Sequence, residues 1–551
     1  MSIPSNPRKQ TLLLFIFYSI LLVNSRTLPS PISIPTDSND FNSNSNSNSP
    51  VYLWPLPSHF TFGNQTLSID PDISLTVSGN VGNSLIISDA FDRYRKIIFK
   101  HETKLRNVAY DIGRISVVVH SDDQELRLGV DESYLVLLGE GNGYAIVGEV
   151  TIEANTVYGA LRGLETFSQL CDFNYETKTV QVYKAPWYIS DKPKFVYRGL
   201  MLDTSRHYLP IDIIKHVIES MSYAKLNVLH WHIIDEESFP LEVPTYPNLW
   251  KGAYTKWERY TVEDATEIVS YAKARGINVM AEIDVPGHAE SWGAGYPYLW
   301  PSPTCREPLD VSKNSTFDVV SGILTDMRKI FPFGLFHLGG DEVNTDCWNS
   351  TPHVKQWLHD HNMTTKEAYQ YFVLRAQELA ISKGWTPVNW EETFNTFSDK
   401  LNPRTVVHNW LGPGVCPKAV AKGFKCIYSN QGVWYLDHLD IPWYEFYNAD
   451  PIEGITDAAK QELVLGGEVC MWSETVDTSN VQQTIWPRAA AAAERLWSNP
   501  ESTSVRNTTS TVLSRYQYFR CLLTRRGVQA APATNFYARR APTGPGSCYE
   551  Q

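Results

Sequence analysis

Two rhythms of apolar residues divide this chain. From Val51 to about Pro193, short β-rich runs recur at Ile115–Val119, Tyr134–Leu138, Tyr144–Val147 and Val180–Tyr183. Two stretches of helical period, Ser84–Phe99 and Thr156–Cys171, lie among them. Period two marks strands with one buried face, and spacings of three and four mark amphipathic helices. The pattern predicts a compact α+β domain over residues 51–193.

Beyond Pro193 the apolar runs become continuous and β-branched: Phe195–Asp203, Leu226–Asp235, Ile277–Asp284, Leu335–Asp341, Trp385–Trp390, Thr405–Trp410, Lys425–Ser429 and Leu463–Trp472. Helical patterns fall between several of them, at Ile211–Ala224, Val262–Arg275, Phe317–Ile330 and Lys366–Ser382. Thr261-Val-Glu-Asp and Thr364-Thr-Lys-Glu read as N-cap signals for two of these helices. Unbroken apolar strands suit a parallel sheet buried on both faces. Eight of them alternating with helices predict a (β/α)8 TIM barrel, an α/β fold, over residues 194–551. An open doubly wound sheet is the alternative, but no Gly-rich phosphate loop follows any strand.

The first 50 residues read differently. Arg8 and Lys9 precede an apolar run from Thr11 to Val23, with small residues after it, as in a secretory signal peptide over 1–25. That run falls short of the ~20 residues of a membrane span. A polar, low-complexity leader fills 26–50, since TDSNDFNSNSNSNS has too few apolar groups to offset ordering entropy. Sequons at Asn64, Asn314, Asn349, Asn362 and Asn507 agree with a secretory route. The eight cysteines suit an oxidising lumen, and none has the C-x-x-C spacing of metal or redox motifs. Candidate bridges are Cys305 with Cys347, Cys416 with Cys426, and Cys521 with Cys548, leaving Cys171 and Cys470 as buried free thiols. A formal net charge of −12 and the lack of a basic stripe argue against nucleic acid as partner.

Chemistry concentrates where the barrel strands end, which is where barrel enzymes place their sites. The strand ends carry Arg198 through Arg206-His207, then His230-Trp231-His232 with Asp235, then Glu282, Asp284 and His288. They continue with Gly339-Gly340-Asp341-Glu342, Trp390-Glu391-Glu392, Trp410, Trp434-Tyr435-Leu-Asp437 and Trp472-Ser-Glu474. Asp341-Glu342 alone reads as a helix-start pair, but the two glycines before it let backbone approach closely and favour a functional turn. His230 and His232 are read as facing opposite sides of their strand, one of them in the core, which disfavours a two-histidine metal site. A single Trp is more often packing than platform; four at successive strand tips (Trp390, Trp410, Trp434, Trp472) reverse that reading.

Two carboxylates beside an aromatic, acidic pocket fit glycoside hydrolysis, with like-charge contact keeping one of the pair protonated as the acid. Consecutive residues cannot easily stand on opposite sides of a glycosidic bond as acid and nucleophile, about 5 Å or more apart. The pair makes better sense if the nucleophile belongs to the substrate.

On these motifs the chain from Val51 to Gln551 resembles glycoside hydrolase family 20, and within it the plant vacuolar β-N-acetylhexosaminidases. The resemblance implies exo-acting release of terminal β-linked GlcNAc and GalNAc from N-glycans and chito-oligosaccharides. It further implies attack by the 2-acetamido oxygen, an oxazolinium intermediate and net retention, with no metal or cofactor. By resemblance, Glu342 is the general acid/base, Asp341 orients the acetamide and Tyr435 donates to its oxygen. Trp390, Trp410 and Trp472 enclose the sugar; Arg198, Asp437 and Glu474 grip its 3-, 4- and 6-hydroxyls; and Asp235 with His288 supports the acid. A homodimer and a vacuolar or apoplastic location are also implied.

Overall fold

A computed structural model describes residues 51–101, 109–139, 148–499 and 509–533. The signal-like run, the polar leader, Tyr144–Val147, Asn507 and Cys548 lie outside the described residues. Six strands form the first sheet: β1 (His59–Gly79), β2 (Ile112–Val119), β3 (Tyr134–Leu138), β4 (Glu149–Ala154), β5 (Cys171–Asn174) and β6 (Thr179–Asp191). Their order is β1-β2-β4-β3-β6-β5, parallel from β1 through β4 and antiparallel where β3 meets β4 and β6. Helices Leu85–Ile98 and Val157–Leu170 pack Ile87, Phe91, Tyr94, Leu161, Leu164 and Phe167 into one core with this sheet. Strands β1, β4 and β5 are not among the runs that the sequence pattern predicts. Gly63-Asn64-Gln65 and Asp70-Pro71-Asp72 look like turns, yet they are accommodated in β1 as register shifts and exposed edge.

The second sheet is a closed parallel barrel of eight strands: β7 (Tyr197–Asp203), β8 (Val228–Ile234), β9 (Asn278–Ile283), β10 (Leu335–His337), β11 (Thr386–Trp390), β12 (Val406–His408), β13 (Lys425–Tyr428) and β14 (Val464–Met471). β14 pairs with β7 to close it. Every residue of β7, β8, β9 and β14 is buried, as continuous apolar strands require. Helices Ile211–Tyr223, Val262–Lys273, Asn314–Ile330 and Thr365–Ser382 follow successive strands. Thr261 with Asp264, and Thr364 with Glu367, form full capping boxes, satisfying two otherwise orphaned N–H groups each.

The barrel interior is layered by the period-two pleat. At the bottom lie Tyr197, Val228, Met280, Leu335, Val388, Val406 and Ile427. Two residues further along β8, β9, β10 and β12 the lining turns ionic, with His230, Glu282, His337 and His408, and Glu468 of β14 joins them, all buried. A Cβ at Gly199 would stand 2.5 Å from Glu468 Oε2, so a glycine there is what lets the Glu468 carboxylate fit. Above this layer Met201, Trp390, Tyr435 and Cys470 form the site floor, with Trp410 and Trp472 against them.

Two bridges are formed as expected, Cys305–Cys347 between the loops after β9 and β10, and Cys416–Cys426. Cys521 is also disulfide-bonded. Cys171 and Cys470 are free, the first only half-buried. The sequons at Asn64, Asn314, Asn349 and Asn362 are exposed. Among the described residues, no helix is long and apolar enough to cross a membrane.

Candidate active site

The turn after β10 sets the site. Gly339 and Gly340 both have positive φ, +61° and +94°, and a Cβ on Gly339 would fall 1.9 Å from Asp284 Oδ1. The Gly340 N–H donates to that same oxygen at 2.8 Å. This close approach delivers Asp341 and Glu342 to the mouth, where Asp341 is nearly buried and the Glu342 side chain is 61% exposed. Glu342 has φ +48° and His288, facing it, φ +50°. Non-glycine residues in that region carry strain of order 1–3 kcal/mol, which concentrates at functional sites.

His288 Nε2 lies 3.6 Å from Glu342 Oε2 and 3.7 Å from Asp341 Oδ2. Its Nδ1 meets Asp235 Oδ1 at 3.0 Å. Asp235 is fully buried and also contacts Arg206 Nη2 at 2.8 Å and His232 Nε2 at 2.6 Å. Burial disfavours both charged forms, but the surrounding carboxylates hold the His288 pKa well above normal. His288, Arg206 and His232 hold Asp235 far below the carboxylate range despite its burial.

The proximity of His288, whose Nε2 stands 3.6 Å away, lowers the Glu342 pKa against its partial burial. Adjacency of Asp341 and Glu342 therefore does not by itself keep the acid protonated in the free chain, as the sequence reading expected. The raised carboxyls flank Asp341 instead. Burial and Asp341 push Asp284 well up, and the same two causes push Glu392 to about 8. Asp341 Oδ1 is buried with no hydrogen-bond partner, and the Asp341 carboxylate lies against that of Asp284.

Aromatic rings enclose the space beside these carboxylates. Trp410 stacks on Tyr435 at 6.5 Å and 15°, Tyr435 lies 6.2 Å from Trp472, and Trp472 lies 6.1 Å from Trp390. Glu392 accepts from the Trp410 indole at 2.8 Å, and Glu282 from the Trp390 indole at 3.0 Å. Burial raises the Tyr435 pKa well above normal, so its phenol stays a donor. Asp437 has one carboxylate oxygen buried without a partner, and burial, reinforced by Glu474, raises its pKa to about 6. Glu474 is exposed at the rim.

Residues 195–500 match the catalytic domain of glycosyl hydrolase family 20, and residues 53–170 match a domain described as beta-acetyl hexosaminidase like. Beta-hexosaminidase 1 of Arabidopsis thaliana is 67% identical over 98% of this chain and 99% of its own length. Beta-hexosaminidase 3 of the same plant is 53% identical over 91% and 94%. The Flavobacterium johnsoniae chitobiase structure superposes with a TM-score of 0.76 at 29% identity, covering 87% of this chain and 73% of that one. The chain belongs to glycosyl hydrolase family 20. It is a glycosidase, and the strand ends of its barrel hold the residues that its family resemblance singles out, with one exception.

The exception is Arg198. It is the second residue of β7, at the end of the barrel away from the site, and is fully buried. Its guanidinium meets both oxygens of Glu132 at 2.7 Å and donates to the Lys225 and Phe195 carbonyls. It joins the first domain to the barrel and cannot reach a sugar at the rim. Arg206, three residues past the end of β7, is the arginine in this family-20 site. It lies 5.0 Å over the Trp472 ring and binds Asp203, Asp235 and Glu237. The signal was visible in the strand-end segment, where Arg206 follows Asp203 at loop spacing.

Residues two apart on a strand share a face, so His230 and His232 both point into the barrel. Trp434 is no platform: it is fully buried and donates to the Phe446 carbonyl at 3.0 Å. Trp390 is also buried, as part of the site floor.

Proposed function

We propose that the protein is an exo-acting β-N-acetylhexosaminidase. It removes terminal, non-reducing β-linked GlcNAc and GalNAc from N-glycans and chito-oligosaccharides by substrate-assisted, retaining hydrolysis. The observation that carries this reading is the Asp341-Glu342 turn, with one side chain nearly buried beside the aromatic ring and the other at the mouth. No second protein carboxylate is needed across the bond, because the sugar's acetamide supplies the nucleophile.

In this reading Glu342 gives its proton to the glycosidic oxygen while the acetamide oxygen attacks the anomeric carbon and the aglycone departs. Asp341 accepts from the acetamide N–H and stabilises the positive charge of the oxazolinium ion. Tyr435 donates to the acetamide oxygen and aims it. Glu342 then takes a proton from water, which attacks the anomeric carbon and restores the acetamide with retained configuration. Trp390, Trp410 and Trp472 enclose the sugar, Asp437, Glu474 and Arg206 face its hydroxyls, and Asp235 holds His288 against the acid. Because His288 lowers the Glu342 pKa, the acid form calls for an acidic medium and for loss of water as the sugar covers the carboxyl.

The signal-like N-terminus, exposed sequons and disulfides support a secretory, lysosome-like destination, vacuole before apoplast, for a glycosylated protein, and the family resemblance alone adds a homodimer. Incubation with a reduced chito-oligosaccharide tests the activity. Stepwise release of monosaccharide supports the exo reading, internal fragments indicate an endo-hydrolase, and an unchanged substrate indicates a binding protein.

A further inference from the structure

We propose that Glu282 is a positioning residue whose single carboxylate joins the two halves of the site. One oxygen holds the Trp390 indole; the other holds His232 and, through it, the Asp235–His288 support of Glu342. This rests on the acid role proposed for Glu342.

The geometry is continuous. Glu282 is fully buried in β9. Its Oε1 accepts from Trp390 Nε1 at 3.0 Å and lies 2.8 Å from His337 Nδ1. Its Oε2 stands 2.6 Å from His232 Nδ1 and 2.9 Å from His230 Nε2. The second nitrogen of His232 meets Asp235 Oδ2 at 2.6 Å, and Asp235 Oδ1 meets His288 at 3.0 Å. A ring flanked by ionised carboxylates on both nitrogens must donate from both, so His232 is an imidazolium. Glu282 and Asp235 accordingly raise its pKa to about 10, against its burial.

The pair Glu282⁻/His232⁺ is thus a buried dipole whose positive end points toward Asp235, His288 and Glu342. The other charged and titratable groups facing this chain are fixed as well. Glu282 faces His230, His232 and His337, with His408 behind them and Glu468 across His230. Asp235 faces Arg206, and His288 faces Asp284, Asp341 and Glu342. A glutamine at 282 would keep the shape, accepting from Trp390 and donating to a neutral His232. It would remove the dipole, and would also take from His230 one of its two carboxylate partners, leaving Glu468 in place on the far side of that ring. The potential at Glu342 would then become more negative and its pKa would rise. Since the acid must be protonated, the alkaline limb of the activity profile would move to higher pH. An aspartate would keep the charge but withdraw it by one methylene, so that it no longer reaches Trp390 and His232 together.

The test is the pH profile of kcat/KM on an aryl β-GlcNAc substrate for the wild type and four variants. Glu282→Gln and His232→Gln should each move the alkaline limb up by about half a unit or more, a fraction of the shift a directly adjacent charge produces. Trp390→Phe, which cuts the chain on the other side, should lower kcat/KM and leave the limb in place. Glu282→Asp should lose up to about 100-fold in kcat/KM, as ångström-scale misplacement does, with a smaller limb shift than Glu282→Gln. If Glu282→Gln does not fold, the contrast between His232→Gln and Trp390→Phe still decides. An unmoved limb in folded Glu282→Gln and His232→Gln overturns the proposal, as does an equal shift in Trp390→Phe. A wild type without activity on the aryl substrate would instead overturn the underlying reading.

Discussion

Asp437 offers a way to read selectivity from one carboxyl group. It sits beside Tyr435, its Oδ1 is buried and unpartnered, and its pKa is raised to about 6. Glu474 adds to that rise, while His438 and Arg488 oppose it. In the proposed mode it accepts from the 4- and 6-hydroxyls of a neutral sugar. A 6-sulfate would bring a second negative charge to ~4 Å, which at an effective dielectric of about 20 costs roughly 4 kcal/mol. Its side chain keeps 21% exposure, so solvent entry reduces this to about tenfold to a few hundredfold in relative kcat/KM. The charge is present only above the pKa. At pH 5 about nine in ten Asp437 groups are neutral, and at pH 7 about nine in ten are ionised. The ratio of kcat/KM on 6-sulfo to neutral aryl GlcNAc should therefore fall as pH rises through 6, whereas Asp437→Asn should give a higher, flat ratio. Measuring both substrates from pH 4.5 to 7.5, with both proteins well below their melting temperatures, cancels the shared ionisation of the acid. A wild-type ratio that is flat with pH, or unchanged in Asp437→Asn, refutes the argument and leaves Asp437 a turn residue.

Glu342→Gln should fold and bind sugar but lose ~10²–10⁴-fold in turnover on a natural disaccharide; a variant keeping a tenth of the activity removes Glu342 from the acid role. A thiazoline analogue of the oxazolinium ion should inhibit strongly, while mass spectrometry should find no sugar ester on any carboxylate. Asp341→Asn and Tyr435→Phe should each slow the first chemical step seen in single turnover. Glu132→Gln should cost about 3–5 kcal/mol of stability in denaturant unfolding, because it strands the buried Arg162 and Arg198 guanidiniums; a loss under 1 kcal/mol would deny the network that role. Arg198 and Arg162 hold the Glu132 pKa below its ordinary value, so its contribution should be full above the ordinary carboxylate range and lost as pH falls through the lowered value.

The barrel was legible because its strands are buried on both faces and read as uninterrupted apolar runs; all eight lie where the sequence placed them. The first sheet was less so. β1 spans a Gly-Asn-Gln and an Asp-Pro-Asp segment that local turn chemistry alone would assign to loops, and only pairing with β2 and β6 holds it extended. In the site, Asp341, Glu342, His288 and Tyr435 were found because they stand just past strand ends. Arg198 was misplaced because the family role was carried onto an arginine early in the run Phe195–Asp203, whereas the arginine past the end of that run is Arg206. The ionic layer was also hidden. A histidine or glutamate inside a buried strand looks like an interruption of the core until the barrel closes and brings His230, Glu282, His337 and Glu468 together. Electrostatics was the least legible, since Asp284, Glu392 and Asp437 are among the carboxyls of raised pKa whereas that of Glu342 is lowered.

The central claim is that the nucleophile belongs to the substrate, held by Asp341 and Tyr435. Aryl β-glycosides bearing acetamide, monofluoro-, difluoro- and trifluoroacetamide groups test it most directly. Fluorine withdraws electrons from the carbonyl oxygen while changing the group's size little. If that oxygen attacks the anomeric carbon, kcat/KM should fall steeply with each fluorine added. A series of equal rates, accompanied by a sugar ester trapped on the protein, would contradict the claim and assign the nucleophile to a side chain.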